Sequence, residues 1–205
     1  MCGFGVVFTV RAGLGVSPWD VFHLGVAEHL AATMGQIQQS TGFLLILITI
    51  VVTRRLPKIG TFFNMFFIGF FVDFIFRWGV LSTPNSVWTS YAYLITGILL
   101  LGLGSGIYLS AALGAGPRDG LMLYLANRFD IRIRIVRTVM EVAAVSVGFL
   151  MGGPVGRGTV IVSMTIGFVV EISFRYFRNK LNFVESFEPS SQIKSMNRNL
   201  KKATG

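Results

Sequence analysis

Long apolar runs alternate along this chain with short polar or glycine-rich breaks, and the alternation comes round twice. Residues 1–10 are apolar. A turn follows, Gly13-Leu14-Gly15-Val16-Ser17-Pro18-Trp19-Asp20, and then 18–33, a helix-patterned stretch made polar by His23, Glu28 and His29. Two apolar runs, 37–53 and 59–78, flank Arg54-Arg55-Leu56-Pro57-Lys58. After an uncharged loop over 80–87 the order begins again: an apolar run over 88–110, a turn, a short helix over 117–129 ending in basic residues, a run over 133–151, a glycine-rich loop and a run over 159–177. Residues 179–205 are polar and basic without an apolar period, which predicts a disordered tail.

The second round repeats residues as well as order. Ala112-Leu113-Gly114-Ala115-Gly116-Pro117-Arg118-Asp119 matches the first turn at an offset of 99. At an offset of 98, Gly60-Thr61 match Gly158-Thr159, Asp73 matches Glu171, and Phe76-Arg77 match Phe174-Arg175. The chain therefore reads as a duplicated unit, with repeat one over 1–79 and repeat two over 88–178 of a single membrane domain. Since 88–110 is a full span, the natural first helix is expected to be longer than 1–10, with Met1 a late start or a truncation; ten helical residues rise about 15 Å against a hydrocarbon core of about 30 Å. Three spans per repeat is an odd number, so the second copy is expected upside down. The fold expected is all-α and polytopic, about six transmembrane helices plus two short half-helices in two inverted three-helix repeats.

Composition sharpens that picture. The chain is 53% hydrophobic with a mean hydropathy of +0.67 and only 13% charged residues, well under the roughly 25% of a soluble domain. Its 24 glycines include Gly102 with Gly106 and Gly148 with Gly152 and Gly156, a four-residue spacing that lets helices approach closely in lipid. The net charge of +9 reflects topology and not nucleic-acid binding: with a cytoplasmic N-terminus, 15 of the 18 basic residues fall on the inside, including the tail. Cys2 stands alone, which leaves neither an intrachain disulfide nor a thiolate metal site. No metal-ligand spacing, serine elbow or other catalytic constellation is visible, and Gly102-Leu103-Gly104-Ser105-Gly106 lies inside an apolar run with no strand before it, so no cofactor is expected.

The candidate chemistry lies in the turns and in the ionisable residues of the spans. Ser17 or Gly116 suits a helix N-cap, Pro18 and Pro117 suit the first helical position, and Asp20 and Asp119 fall in the first turn, where free amides favour a carboxylate. Either the aspartates only cap their own helices, or two broken helices aim their N-termini at a shared cavity that Asp20, Asp119 and Arg118 line. Asp73 and Glu171 are each followed four residues later by an arginine, a spacing that pairs them on one helix face near the interface. Glu141 with Arg137 sits deeper and is the favoured functional pair, against a plain interhelical bond. Gly60-Thr61 and Gly158-Thr159, with Asn64 beyond, either permit close crossing or offer oxygens to a solute.

Gly13 to Asp20, the run Leu113 to Met122, Val136-Arg137-Thr138 with Glu141, and Gly152-Gly153-Pro154-Val155-Gly156-Arg157-Gly158-Thr159 resemble the YczE branch of the YczE/YyaS/YitT-like bacterial membrane proteins. That resemblance implies a multi-pass protein of the bacterial plasma membrane and brings no substrate or catalytic residue with it. The inverted duplication favours a small-solute or ion transporter or permease in the lipid bilayer, with its C-terminal tail cytoplasmic and a homo-oligomer or membrane partner allowed. The alternative is a non-transporting accessory protein that supports another membrane or biosynthetic system; a membrane-embedded enzyme ranks third.

Overall fold

The computed structural model describes residues 1–54, 56–111, 114 and 116–180. Among them are eight α-helices and no strand: α1 (Cys2–Arg11), α2 (Pro18–His29), α3 (Met34–Thr53), α4 (Ile59–Trp78), α5 (Val87–Ser110), α6 (Pro117–Phe129), α7 (Ile133–Leu150) and α8 (Arg157–Lys180). Local chemistry sets the boundaries. Thr33 and Gln36 form a reciprocal capping box at the start of α3, which ends α2 at His29 and not at the expected residue 33. Ser86 caps α5 by accepting from the Thr89 N–H. Gly79, at φ +61°, closes α4 in the left-handed conformation that costs glycine nothing. Residues 181–205, which hold nearly all of the expected tail, lie outside the described residues.

Four helices, α3, α4, α5 and α8, are long and apolar enough to cross a membrane. That is fewer than the six spans the apolar runs predict. α1 has 10 residues, and the 18 residues of α7 include Arg134, Arg137 and Glu141, so neither meets both demands. The outer surface of α4 is apolar: it carries exposed Phe63, Phe66, Phe67, Phe70, Phe71 and Phe74 in a ladder of ring contacts with spacings from 5.6 to 6.2 Å. Water would penalise such a surface, and acyl chains do not.

Packing between helices runs through small residues. α1 crosses α5 at Gly5 and Gly97, where a methyl on Gly97 would lie 2.6 Å from the Thr9 Cγ2. α5 crosses α8 through Gly102 and Gly106, seated on Val169 and Ser173, so the four-residue glycine spacing is used as expected. α2 crosses α7 at Gly25 and Gly148, each so close that a Cβ would meet the opposing backbone at 2.5 Å. One apolar cluster of Val6, Val7, Met34, Val72 and Ile75 ties α1, α3 and α4 together, and a second of Ala12, Leu94, Ile98 and Val162 ties the end of α1 to α5 and α8. The helix pairs come in matched sets: α1 with α4 and α5 with α8, α2 with α7 and α6 with α3, α2 with α3 and α6 with α7. The match fails at two places: slightly at α4 with α6, which α8 with α2 does not repeat to the same extent, and plainly at α3 with α4. α3 packs along α4, whereas α7 and α8 are not packed together in that way.

The second failure has a local correlate. The expected Asp73–Arg77 pair is not made among the described residues; instead Asp73 accepts from the Thr33 hydroxyl and, at 2.8 Å, from the Gly35 N–H, fastening α4 to the first turn of α3. Free first-turn amides hold a carboxylate better than an exposed arginine on the same helix does. Glu171 does pair with Arg175 at 2.5 Å, with side chains 54% and 75% exposed.

Candidate functional site

Each glycine turn folds back on a helix start that belongs to the other half of the chain. Gly15, at φ +101°, lies so close to α8 that a Cβ on it would stand 2.6 Å from both the Gly156 N and the Thr159 Oγ1, and the Gly158 N–H donates to the Leu14 carbonyl at 2.6 Å. Gly114, at φ +133°, does the same at α4: a Cβ there would stand 2.8 Å from the Thr61 Oγ1 and 2.9 Å from the Lys58 Cβ. Its carbonyl accepts from the Tyr108 hydroxyl. Thr61 and Thr159 are both buried at these seats. Gly60-Thr61 and Gly158-Thr159 therefore serve close backbone approach, and residues 112, 113 and 115 of the second turn lie outside the described residues.

The turns aim α2 and α6. At α2 the expected cap forms: Ser17 Oγ accepts from the Asp20 N–H at 3.3 Å, its hydroxyl donates to Asp20 Oδ2 at 2.6 Å, and Pro18 occupies the first helical position. Asp20 is 5% exposed, and its other oxygen lies 3.6 Å from His23 Nδ1. At α6 the N-cap is Gly116, which has no side chain to cap with; Pro117 follows, and Asp119 Oδ2 lies 3.2 Å from where a Cβ on Gly116 would be.

Trp19 and Arg118 hold the same position in their two turns, and they meet: the Arg118 guanidinium sits over the Trp19 ring, 5.3 Å from its centroid. Beneath them is a cavity of about 50 Å³, room for a few waters or a small solute. Trp19 and His23 of α2, Gln38, Thr41, Gly42 and Leu45 of α3, Asn64, Met65 and Ile68 of α4, and Pro117 and Arg118 of α6 line it. His23 is 4% exposed, and its Nδ1, like the Gln38 Oε1, is buried without a hydrogen-bond partner among the described residues.

The residues singled out by sequence divide accordingly. Asn64 and Arg118 line the cavity, and Asp20 touches it through His23. Asp119 stands behind Gly116 beside Asn64, whose Oδ1 is 3.7 Å from the same Cβ position. Arg137 and Glu141 pair with each other at 2.9 Å along α7, with side chains 46% and 27% exposed, and neither lines the cavity. Trp19, His23, Gln38 and Thr41 were not among the sequence candidates. Alignment of Trp19 with Arg118 across the repeat was the available signal for one of them; Gln38 and Thr41 occupy an ordinary amphipathic stretch and give none. Among the described residues no group of three or more His, Cys, Asp or Glu is arranged to hold a metal ion.

Residues 1–175 match the model of a family of unknown function, DUF6198. The chain is also 38% identical over 182 residues to the Bacillus subtilis protein named uncharacterized membrane protein YczE, covering 88% of this chain and 83% of that one. The chain belongs to this YczE-like family. A Haemophilus influenzae protein named only as uncharacterized is 36% identical over 172 residues, 82% of this chain and 76% of its own length. The B. subtilis YyaS protein is 25% identical over 170 residues, 82% and 84% of the two chains. No solved structure matches. The YczE-like family is thus one of membrane proteins, and the apolar spans and glycine crossings of this chain are what such a protein needs.

Proposed function

We propose that the protein is a small-solute or ion permease of the bacterial plasma membrane, built as an inverted duplication around the Trp19–Arg118 cavity. The observation that carries this reading is the reciprocal seating of the two turns, Gly15 on Gly156 to Thr159 and Gly114 on Lys58 to Thr61, which brings one proline-started helix from each half to a single cavity. Two halves related in this way put a solute site between discontinuous helices near mid-depth. The matched helix pairs support the duplication, and two contacts support the orientation read from the basic residues: the first turn with Gly156 to Thr159, and the second turn with Lys58 and Thr61. The packed α3–α4 pair against the separate α7 and α8 fits a carrier caught facing one side, since exchanging the two arrangements would open the other.

The test is an uptake screen with the purified chain in liposomes, run beside thermal-shift binding. Saturable movement of at least one small solute, abolished when the cavity is filled by Asn64→Phe, is expected. A broad panel of anions, cations and neutral solutes that neither moves nor binds would end the permease reading.

A further inference from the structure

We infer that His23 takes up a proton from the cavity and that Asp20 holds it there, which makes the proton the coupling ion of the permease. The proton site stands on the geometry of the pair, and its coupling role rests on the permease reading. His23 and Asp20 are buried together, with side chains 5% and 7% exposed, and His23 Nδ1 lies 3.6 Å from Asp20 Oδ1. That separation is long for a hydrogen bond and short enough for an ion pair. Asp20 Oδ2 accepts from the Ser17 hydroxyl at 2.6 Å, which leaves Oδ1 for the ring. Nδ1 itself is buried without a hydrogen-bond partner among the described residues. Such an atom destabilises a fold, and so does a buried carboxylate with no cation beside it. One proton relieves both. It adds to Nε2 from the cavity, Nδ1 keeps its own hydrogen turned to Asp20 Oδ1, and the pair passes from net negative to neutral. The His23 ring lines the cavity, so the proton reaches it without crossing packed side chains.

Helix capping does not account for His23. The second repeat keeps the carboxylate as Asp119, but it has Gly116 where the first has Ser17 and Met122 where the first has His23. A first-turn acid behind a proline is thus what both short helices use, whereas serine, acid and imidazole occur together only at α2. Imidazole is the side chain whose charge ordinarily changes near neutral pH. The other groups around the pair do not replace it. α3 and α4 bring only the uncharged Gln38, Thr41 and Asn64 as polar lining. Arg118 of α6 is exposed and stacked on Trp19, and on α7, which packs against α2, Arg137 and Glu141 pair with each other. Further along α2, Glu28 approaches Gly152 and His29 meets the Met151 carbonyl. Of these groups only His23 lies within ion-pair reach of Asp20.

The chain has two histidines, so the His23 ring can be followed by NMR on the full chain in nanodiscs, with H29Q to assign the signals. His23 is expected to gain a ring proton within about pH 5 to 8. D20N, which keeps the shape and removes the opposite charge, is expected to bind that proton about tenfold more weakly. Coupling is read in proteoliposomes that enclose a pH dye and are made acid outside. A solute of the uptake panel is expected to accumulate while the lumen acidifies with it, in H29Q as in the parent, and H23Q to show neither. A His23 ring that stays neutral over that range in the parent, a measurement that needs no variant to fold, would overturn the inference. An unchanged titration in D20N, or a solute that moves without acidifying the lumen and no faster under the gradient, would do the same; a moved solute then leaves the permease reading standing. If His23 titrates as expected and no solute moves, the proton site stands and the permease falls, its coupling with it.

Discussion

Asp73 and Glu171 occupy matched positions in the sequence and do different work. Asp73 spends both oxygens on the start of α3, at Thr33 and Gly35, while Glu171 meets only the exposed Arg175 on its own helix among the described residues. D73A is therefore expected to destabilise the protein by about 1 to 2 kcal/mol, the usual cost of a lost cap, and E171A by less than about 0.5 kcal/mol, the usual value of an exposed pair four residues apart. Thermal unfolding in detergent measures both, and equal losses would refute the cap. Arg137 and Glu141 were the favoured functional pair on the sequence, because an acid and a base within an apolar run are costly without a purpose. Their partnership along α7 supplies that purpose by itself. R137Q with E141Q is expected to leave the uptake measured in liposomes unchanged and to cost about 0.5 kcal/mol or less of stability; a loss of uptake would return the pair to the site.

At the scale of elements, the glycine turns decide how the halves engage. Gly13, at φ +66°, has nothing within 4 Å of the point where a side-chain methyl would stand, whereas Gly15 faces backbone at 2.6 Å. Gly13→Ala is expected to cost about 1 to 2 kcal/mol for the left-handed backbone alone. Gly15→Ala adds overpacking against α8, for a total of at least about 2 to 3 kcal/mol. Gly114→Ala is expected to fall between the two, because it meets the Thr61 and Lys58 side chains at 2.8 and 2.9 Å and backbone only at 3.5 Å. Chemical unfolding of the three variants ranks them, and a Gly13→Ala loss equal to that of Gly15→Ala would remove the seat as the cause. The α4, α5 and α6 boundaries were legible in advance to within a residue, since they fall at proline, at left-handed glycine and at the edges of apolar runs. The end of α2 was not legible, because the polarity that distinguishes it continues into the capping box of α3.

At the scale of the whole molecule, the proposed inverted duplication makes a prediction about orientation. Reporter fusions are expected to place 54–58 and 118–137 on one face of the membrane and 80–86 with 151–156 on the other; a split of the first pair across the bilayer would defeat the inverted arrangement. The sequence by itself determined the class of object, because hydropathy, glycine spacing and basic-residue placement are summed over the chain and need no partner to be read. It determined the helix-starting turns for the same reason: caps and prolines act on the residues beside them. The tertiary structure alone decided that each turn seats on the other half, that α3 and α4 close while α7 and α8 do not, and that Trp19, His23 and Gln38 join Arg118 and Asn64 at one cavity. Those facts depend on distances between residues far apart in the chain, and a cavity exists only where several helices fail to fill the space between them.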